Sequence, residues 1–165
     1  MKRIRLLRIT QTALMAAIVF VVTYLIRIPL PFASGGYLNI GDTPIYLTAY
    51  LLGGPAGAVA GALGSAFSDL AAGYVFYAAP TAVIKGTMGF VCGRLMKQGD
   101  WKRFVLASAL GGAIMVGGYA LFETFFFNAN QALAAIPFNC IQWAGGVLAA
   151  TALFPSARAV ERILK

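Results

Sequence analysis

The sequence predicts an all-α membrane protein: six transmembrane helices in a single integral membrane domain over residues 1–165, with both termini cytoplasmic. Three observations carry that expectation. The chain is 60% hydrophobic and only 11% charged, with mean hydropathy +0.80, whereas a soluble domain is about 25% charged. Its apolar runs are separated by Pro, Gly and polar segments, and a span needs about 20 apolar residues. The length therefore accommodates about six spans and almost no soluble domain. The third observation is where the 13 Lys and Arg residues fall. Lys2, Arg3, Arg5 and Arg8 open the chain, Arg94, Lys97, Lys102 and Arg103 surround the fourth connection, and Arg158, Arg162 and Lys165 close it. In a six-span topology those three segments share one side, which holds eleven of the 13. Arg27 alone is on the other, and Lys85 lies inside a helix. Basic short loops mark the cytoplasmic side. The net charge of +8 is thus a signature of topology, and no nucleic-acid partner is needed to explain it.

The elements follow in order. The first apolar run is long and lacks a small-residue cleavage site, so it is expected to remain as a span over 9–26. Residues 27–40, with Pro29, Pro31, Gly35 and Gly36, form a loop that no helix can cross. The second helix is expected over 41–52, short for a full span. Gly53, Gly54 and Pro55 turn the chain into the third, 56–72. An aromatic turn leads to Pro80, which is expected to start the fourth helix, 80–96. The fifth covers 104–127, a polar loop follows, and Pro137 is expected to start the sixth, 137–154, with a basic amphipathic tail behind it.

Polar groups embedded in this apolar chain identify the candidate site, since a charge in hydrocarbon normally faces a partner or a cavity. There is no His, so His-based acid–base chemistry and a metal site are not expected. Cys92 and Cys140 differ in depth by about 13 Å, too far for a disulfide, and are expected to be free thiols. Asp42, Asp69, Lys85, Glu123, Asn139, Gln142 and Trp143 all converge on the outer half, as do Asn128, Asn130 and Gln131 of the last loop. The pattern describes a dead-end pocket rather than a path through the membrane. It is expected between the outer halves of helices four, five and six. Asn139, Gln142 and Trp143 share one helical face, and with Glu123 they are the leading expected ligand contacts, followed by Lys85, Asn128, Tyr77 and Asn39. Asp69 and Lys85 are read either as a structural ion pair or as pocket groups, with Asp69 weighing on folding more than on affinity. Asp42 is read first as a helix cap and otherwise, like Asp69, as a structural ion-pair or pocket residue. Tyr74, Phe76, Tyr77 and Phe125 to Phe127 are read as an interfacial aromatic belt from which one or two rings reach a ligand.

Small residues form a second pattern. Gly57 and Gly61, and Gly89 and Gly93, are four apart, a spacing that lets helices approach closely. Their expected role is internal packing. The patch Ala13-Leu-Met-Ala-Ala17 equally suits a partner subunit.

Several of these stretches together resemble the S components of energy-coupling factor (ECF) transporters. They are the basic start, Ala13-Leu-Met-Ala-Ala17, Asn39-Ile-Gly-Asp42, Leu52-Gly-Gly-Pro55, Ser68-Asp69 with Gly73-Tyr74, and Ile84-Lys85-Gly86. The resemblance implies a substrate-capture subunit that binds a small water-soluble vitamin or precursor near the outside. A lid over the site would be formed by the loop after the first helix. It implies docking through Ala13 and Ala17 on a transmembrane T subunit, two ATPases as further partners, and toppling in the bilayer to release substrate. It implies no cofactor and no ATP site of its own, and the chain lacks a phosphate loop. Among S components the general look is closest to those for riboflavin, pyridoxine or hydroxymethylpyrimidine, and the embedded Lys85 leaves room for an anion such as pantothenate. The competing expectation is a membrane-embedded enzyme, acting on a small or lipid substrate with Glu123 or Asp69 as base. A third, a channel, is disfavoured by the apolar inner half.

Overall fold

A computed structural model describes residues 2–29 and 37–164. Six helices are present among them: α1 (Lys2–Leu25), α2 (Asp42–Leu52), α3 (Gly54–Ala71), α4 (Val75–Leu95), α5 (Trp101–Phe126) and α6 (Ala129–Leu164). Four are long and apolar enough to cross a membrane: α1, α4, α5 and α6. At 1.5 Å per residue α2 is only about 16 Å long. It is buried along most of its length and packs on α1, α3, α4 and α6, so it is a core element.

The expected loop 27–40 contains structure. Strand β1 (Arg27–Pro29) pairs antiparallel with β2 (Tyr37–Asn39), Ile28 opposite Leu38. The middle of the expected lid, 30–36, lies outside the described residues.

Every long helix starts earlier than expected, α1 at Lys2 and α5 at Trp101, and two starts differ because proline was read as a first residue and tertiary contacts carry each helix across it. α4 begins at Val75 with Pro80 inside it. The added turn is held by Phe76 and Tyr77, whose rings pack on Phe122 and Phe127 of the neighbouring hairpin. α6 begins at Ala129, so 129–136 is helix rather than loop. That stretch is rich in Ala, Leu and Gln, strong helix formers, and Asn128 Oδ1 caps it by accepting from Gln131 N at 2.9 Å. α6 also runs on through Pro155 to Leu164. The tail is docked, because Tyr50 Oη donates to the buried Glu161 and accepts from Gly99 N.

The glycines act as internal packing. A Cβ on Gly57 or Gly61 would lie 2.8 or 2.6 Å from the carbonyl oxygens of Gly89 and Lys85, and Gly89 and Gly93 face Gly57 and Gly54 as closely. The backbones of α3 and α4 therefore touch. α1 is the least covered helix: 11% of its spanning window is buried, against 44% in α4. The core below the site is built from Ile45, Tyr46, Ala49, Met88, Cys92 and Met115. Cys92 and Cys140 are free, and Cys92 Sγ donates to Ala107 O.

Candidate functional site: a polar cavity at one end of the bundle

The cavity lies at the end of the bundle that carries the hairpin. Its cavity volume is about 40 Å³, and about 590 Å³ of space is reached only when the open solvent at the mouth is counted. α1 contributes Thr23, β2 Tyr37 and Asn39, α3 Ser65 and Asp69, α4 Tyr77, Thr81 and Lys85, α5 Tyr119 and Glu123, and α6 Asn139 and Gln142, with Tyr74 and Ala135 completing the wall. The site is therefore broader than the expected cleft between helices four, five and six.

The floor is a closed polar network. Lys85 forms a buried ion pair with Asp42, not with Asp69. The helix-cap position before α2 belongs to Gly41, and Asp42 turns inward instead of capping. Gln142 Nε2 donates to Asp42 Oδ2 at 3.2 Å, while its Oε1 accepts from Asn39 N at 3.0 Å and Asn39 Nδ2 at 3.2 Å. Asn39 Oδ1 in turn accepts from Gly41 N. A charge buried with its counter-charge and its remaining hydrogen bonds satisfied is tolerated where a lone one is not. The network also binds strand β2 to α6 and α2.

The walls carry carboxylates and phenols. Tyr37 Oη donates to Asp69 Oδ1 at 2.6 Å, and its ring lies tilted against Tyr74 at 5.0 Å. Burial, and then the neighbouring Asp69, push the Tyr37 phenol well above its ordinary value, so it stays protonated as the donor. The second oxygen of Asp69 has no partner in ordinary hydrogen-bond geometry, Thr81 being the polar side chain beside it. Tyr77 Oη donates to Glu123 Oε1 at 3.3 Å, and Glu123 Oε2 is buried without a hydrogen bond. Thr81 and Tyr119 share a hydrogen bond of 2.9 Å.

Of the residues expected from sequence, the cavity gathers Glu123, Asn139, Gln142, Lys85, Tyr77 and Asn39, and also Asp69. Two fall elsewhere. Trp143 turns into the α5–α6 seam, its indole occupying the space that a Cβ on Gly112 would need. Neighbouring positions 142 and 143 diverge by about 100° on a helix, and the stripe that reaches the cavity is Ala135, Asn139 and Gln142. Asn128 is exposed and serves as the α6 cap. Sequence reasoning missed Thr23, Tyr37, Ser65, Thr81 and Tyr119, and read Tyr74 as belt. Most had a signal in four-residue spacing, which puts side chains on one helical face: Ser65 with Asp69, Tyr77 with Thr81 and Lys85, and Tyr119 with Glu123.

The profile of the ECF-type riboflavin transporter S component matches residues 3–159. The chain belongs to this family. As an S component it is a multi-pass protein of the cell membrane and part of a transport system, which weighs against the membrane-enzyme alternative. It is 28% identical over 148 residues to the thiamine precursor transporter HmpT of Lactococcus lactis subsp. cremoris (strain MG1363), covering 90% of this chain and 86% of that one. It is 40% identical over 131 residues to an uncharacterised protein in the gap 3′ region of Pyrococcus woesei, covering 79% of this chain and 87% of that one.

Proposed function

We propose that this S component captures a small water-soluble vitamin or precursor, of the pyridoxine, hydroxymethylpyrimidine or riboflavin class. It does so at the outer face and delivers the ligand inward with a T subunit and two ATPases. The observation that carries this reading is the single-ended cavity. Polar side chains from α1 and α3 to α6 meet at the hairpin end, and an apolar core closes the bundle beneath them. Such a site binds and holds, and a conducting path would need polar groups through the full depth. Both termini are assigned to the cytoplasm by the Lys and Arg asymmetry, which puts the cavity on the outside. The hairpin of β1 and β2, with Tyr37 and Asn39 on the cavity wall, is read as the lid. Ala13 and Ala17 are exposed on the least covered helix and are assigned to T-subunit docking.

The test is mass spectrometry of small molecules released from the purified chain, followed by calorimetry with the compound found. A bound vitamin or precursor is expected. Release of lipid alone, with no vitamin bound at millimolar concentration, would sink the proposal.

A further inference from the structure

The polar groups of the cavity divide into those already satisfied and those left bare. Lys85 is neutralised by Asp42. Both ends of the Gln142 amide are taken, one by Asn39 and one by Asp42. What remains unpaired among the described, deeply buried atoms of the wall is Asp69 Oδ2, Glu123 Oε2 and the Thr23 hydroxyl. Two of the three are carboxylate oxygens, able only to accept when ionised, on side chains that are each 4% exposed. The other cation nearby, Arg27, stacks on Tyr24 at 4.4 Å, keeps Nη1 buried without a hydrogen bond, and is not part of the wall. The cavity is thus rich in acceptors, and its one lysine is spent.

Resting on the capture reading above, the geometry points to a ligand that presents N–H donors: a small aromatic nitrogen heterocycle bearing an amino group, neutral or protonated. Its donor edges meet the bare oxygens of Asp69 and Glu123. A buried acceptor without a donor is costly, and a ligand donor removes that cost only in the bound state. Hydrogen bonds to an ionised carboxylate are the stronger kind. Tyr37, Tyr74, Tyr77 and Tyr119 around it suit a flat ring, the more so a cationic one. Ligands of the opposite polarity fit less well. The polar edge of a flavin carries two carbonyls and pantothenate carries a carboxylate, and each would set acceptors against the bare oxygens of Asp69 and Glu123. The room that the sequence left for an anion at Lys85 is closed by Asp42.

The deciding experiment is titration calorimetry of the purified full chain. The probes are 4-amino-5-hydroxymethyl-2-methylpyrimidine, its 4-oxo counterpart, riboflavin and pantothenate. The amino and oxo compounds have nearly the same shape and opposite hydrogen-bond polarity, so the comparison needs no mutation. The amino compound is expected to bind at least about tenfold tighter than the oxo compound, as one well-formed hydrogen bond to a charged group allows. Glu123→Gln and Asp69→Asn, which keep shape and add a donor, are expected to bring the two affinities closer together, with thermal melts verifying that both variants fold. Equal or tighter binding of the oxo compound, riboflavin or pantothenate overturns the donor assignment and leaves capture standing. So does an amino-to-oxo ratio unchanged in both variants. Binding of none of the four by a folded, ligand-free chain overturns the donor assignment, while the capture reading stands or falls on the compounds released from the purified chain.

Discussion

At the residue scale the molecule depends on how each buried charge is answered. Lys85 and Asp42 answer one another, so removing one leaves the other stranded. Lys85→Met is expected to destabilise the protein by about 3–5 kcal/mol, and Lys85→Met combined with Asp42→Leu to recover much of that. Thermal unfolding of the single and double variants measures it, and a double variant as unstable as the single one would contradict the pairing. Trp143 belongs to a different account. Its ring fills the seam beside Gly112, so Trp143→Ala is expected to cost about 2–4 kcal/mol in stability while shifting ligand affinity by less than about threefold, or ~0.7 kcal/mol. A large loss of affinity with an unchanged melting temperature would return Trp143 to the cavity. These residues also mark what was legible. Glu123, Asn139 and Gln142 were readable because an apolar helix has no other use for them. The partner of Lys85 was not, because Asp42 and Asp69 lie on different helices and helix order in space is absent from sequence. Tyr37 was not, because a tyrosine in a Pro- and Gly-rich loop looks like any interfacial aromatic.

At the element scale the helices were readable from apolar length, and their ends were not. Proline at 80 and 137 stood for starts because its missing N–H is harmless there. The aromatic cluster around Phe76 and the capped Ala-rich turn after Asn128 outweigh that preference. The α3–α4 seam was legible, since Gly at four-residue spacing has little purpose beyond close approach. Gly89→Leu is expected to abolish the folded form, because the side chain would have to enter the backbone of α3. A normally folded Gly89→Leu protein, judged by size-exclusion and thermal melt, would contradict the seam. α1 is the converse case. Ala13→Trp or Ala17→Trp adds bulk to an exposed surface and is expected to leave binding by the isolated chain intact while abolishing transport by the assembled complex. Loss of binding in both would make these positions internal packing.

At the scale of the whole molecule the sidedness rests on charge alone, which makes it directly measurable. In a chain with Cys92 and Cys140 replaced by Ala, a single cysteine at Asn130→Cys is expected to react with a membrane-impermeant thiol reagent in intact cells, and one at Lys102→Cys only after the cells are permeabilised. Labelling from the same side would end the proposed topology. The overall class was legible because hydropathy and Lys/Arg placement are summed over many residues. The cavity's breadth was not, because it needs Thr23 and Tyr37 brought against α5 and α6 by long-range packing.

The length of α6 has a consequence for how a ligand arrives. With the proposed orientation, Arg158 sits at the inner headgroups, where a cation near a helix end prefers to be. From there the hydrocarbon extends about 30 Å outward, which at 1.5 Å per residue ends close to Asn139. Asn139 therefore stands at the rim of the oily layer, and Gln142, three residues further in, lies roughly 4.5 Å below it. A polar ligand touches its first protein amide while headgroup water still surrounds it, and it sheds its hydration over those few ångströms, group by group.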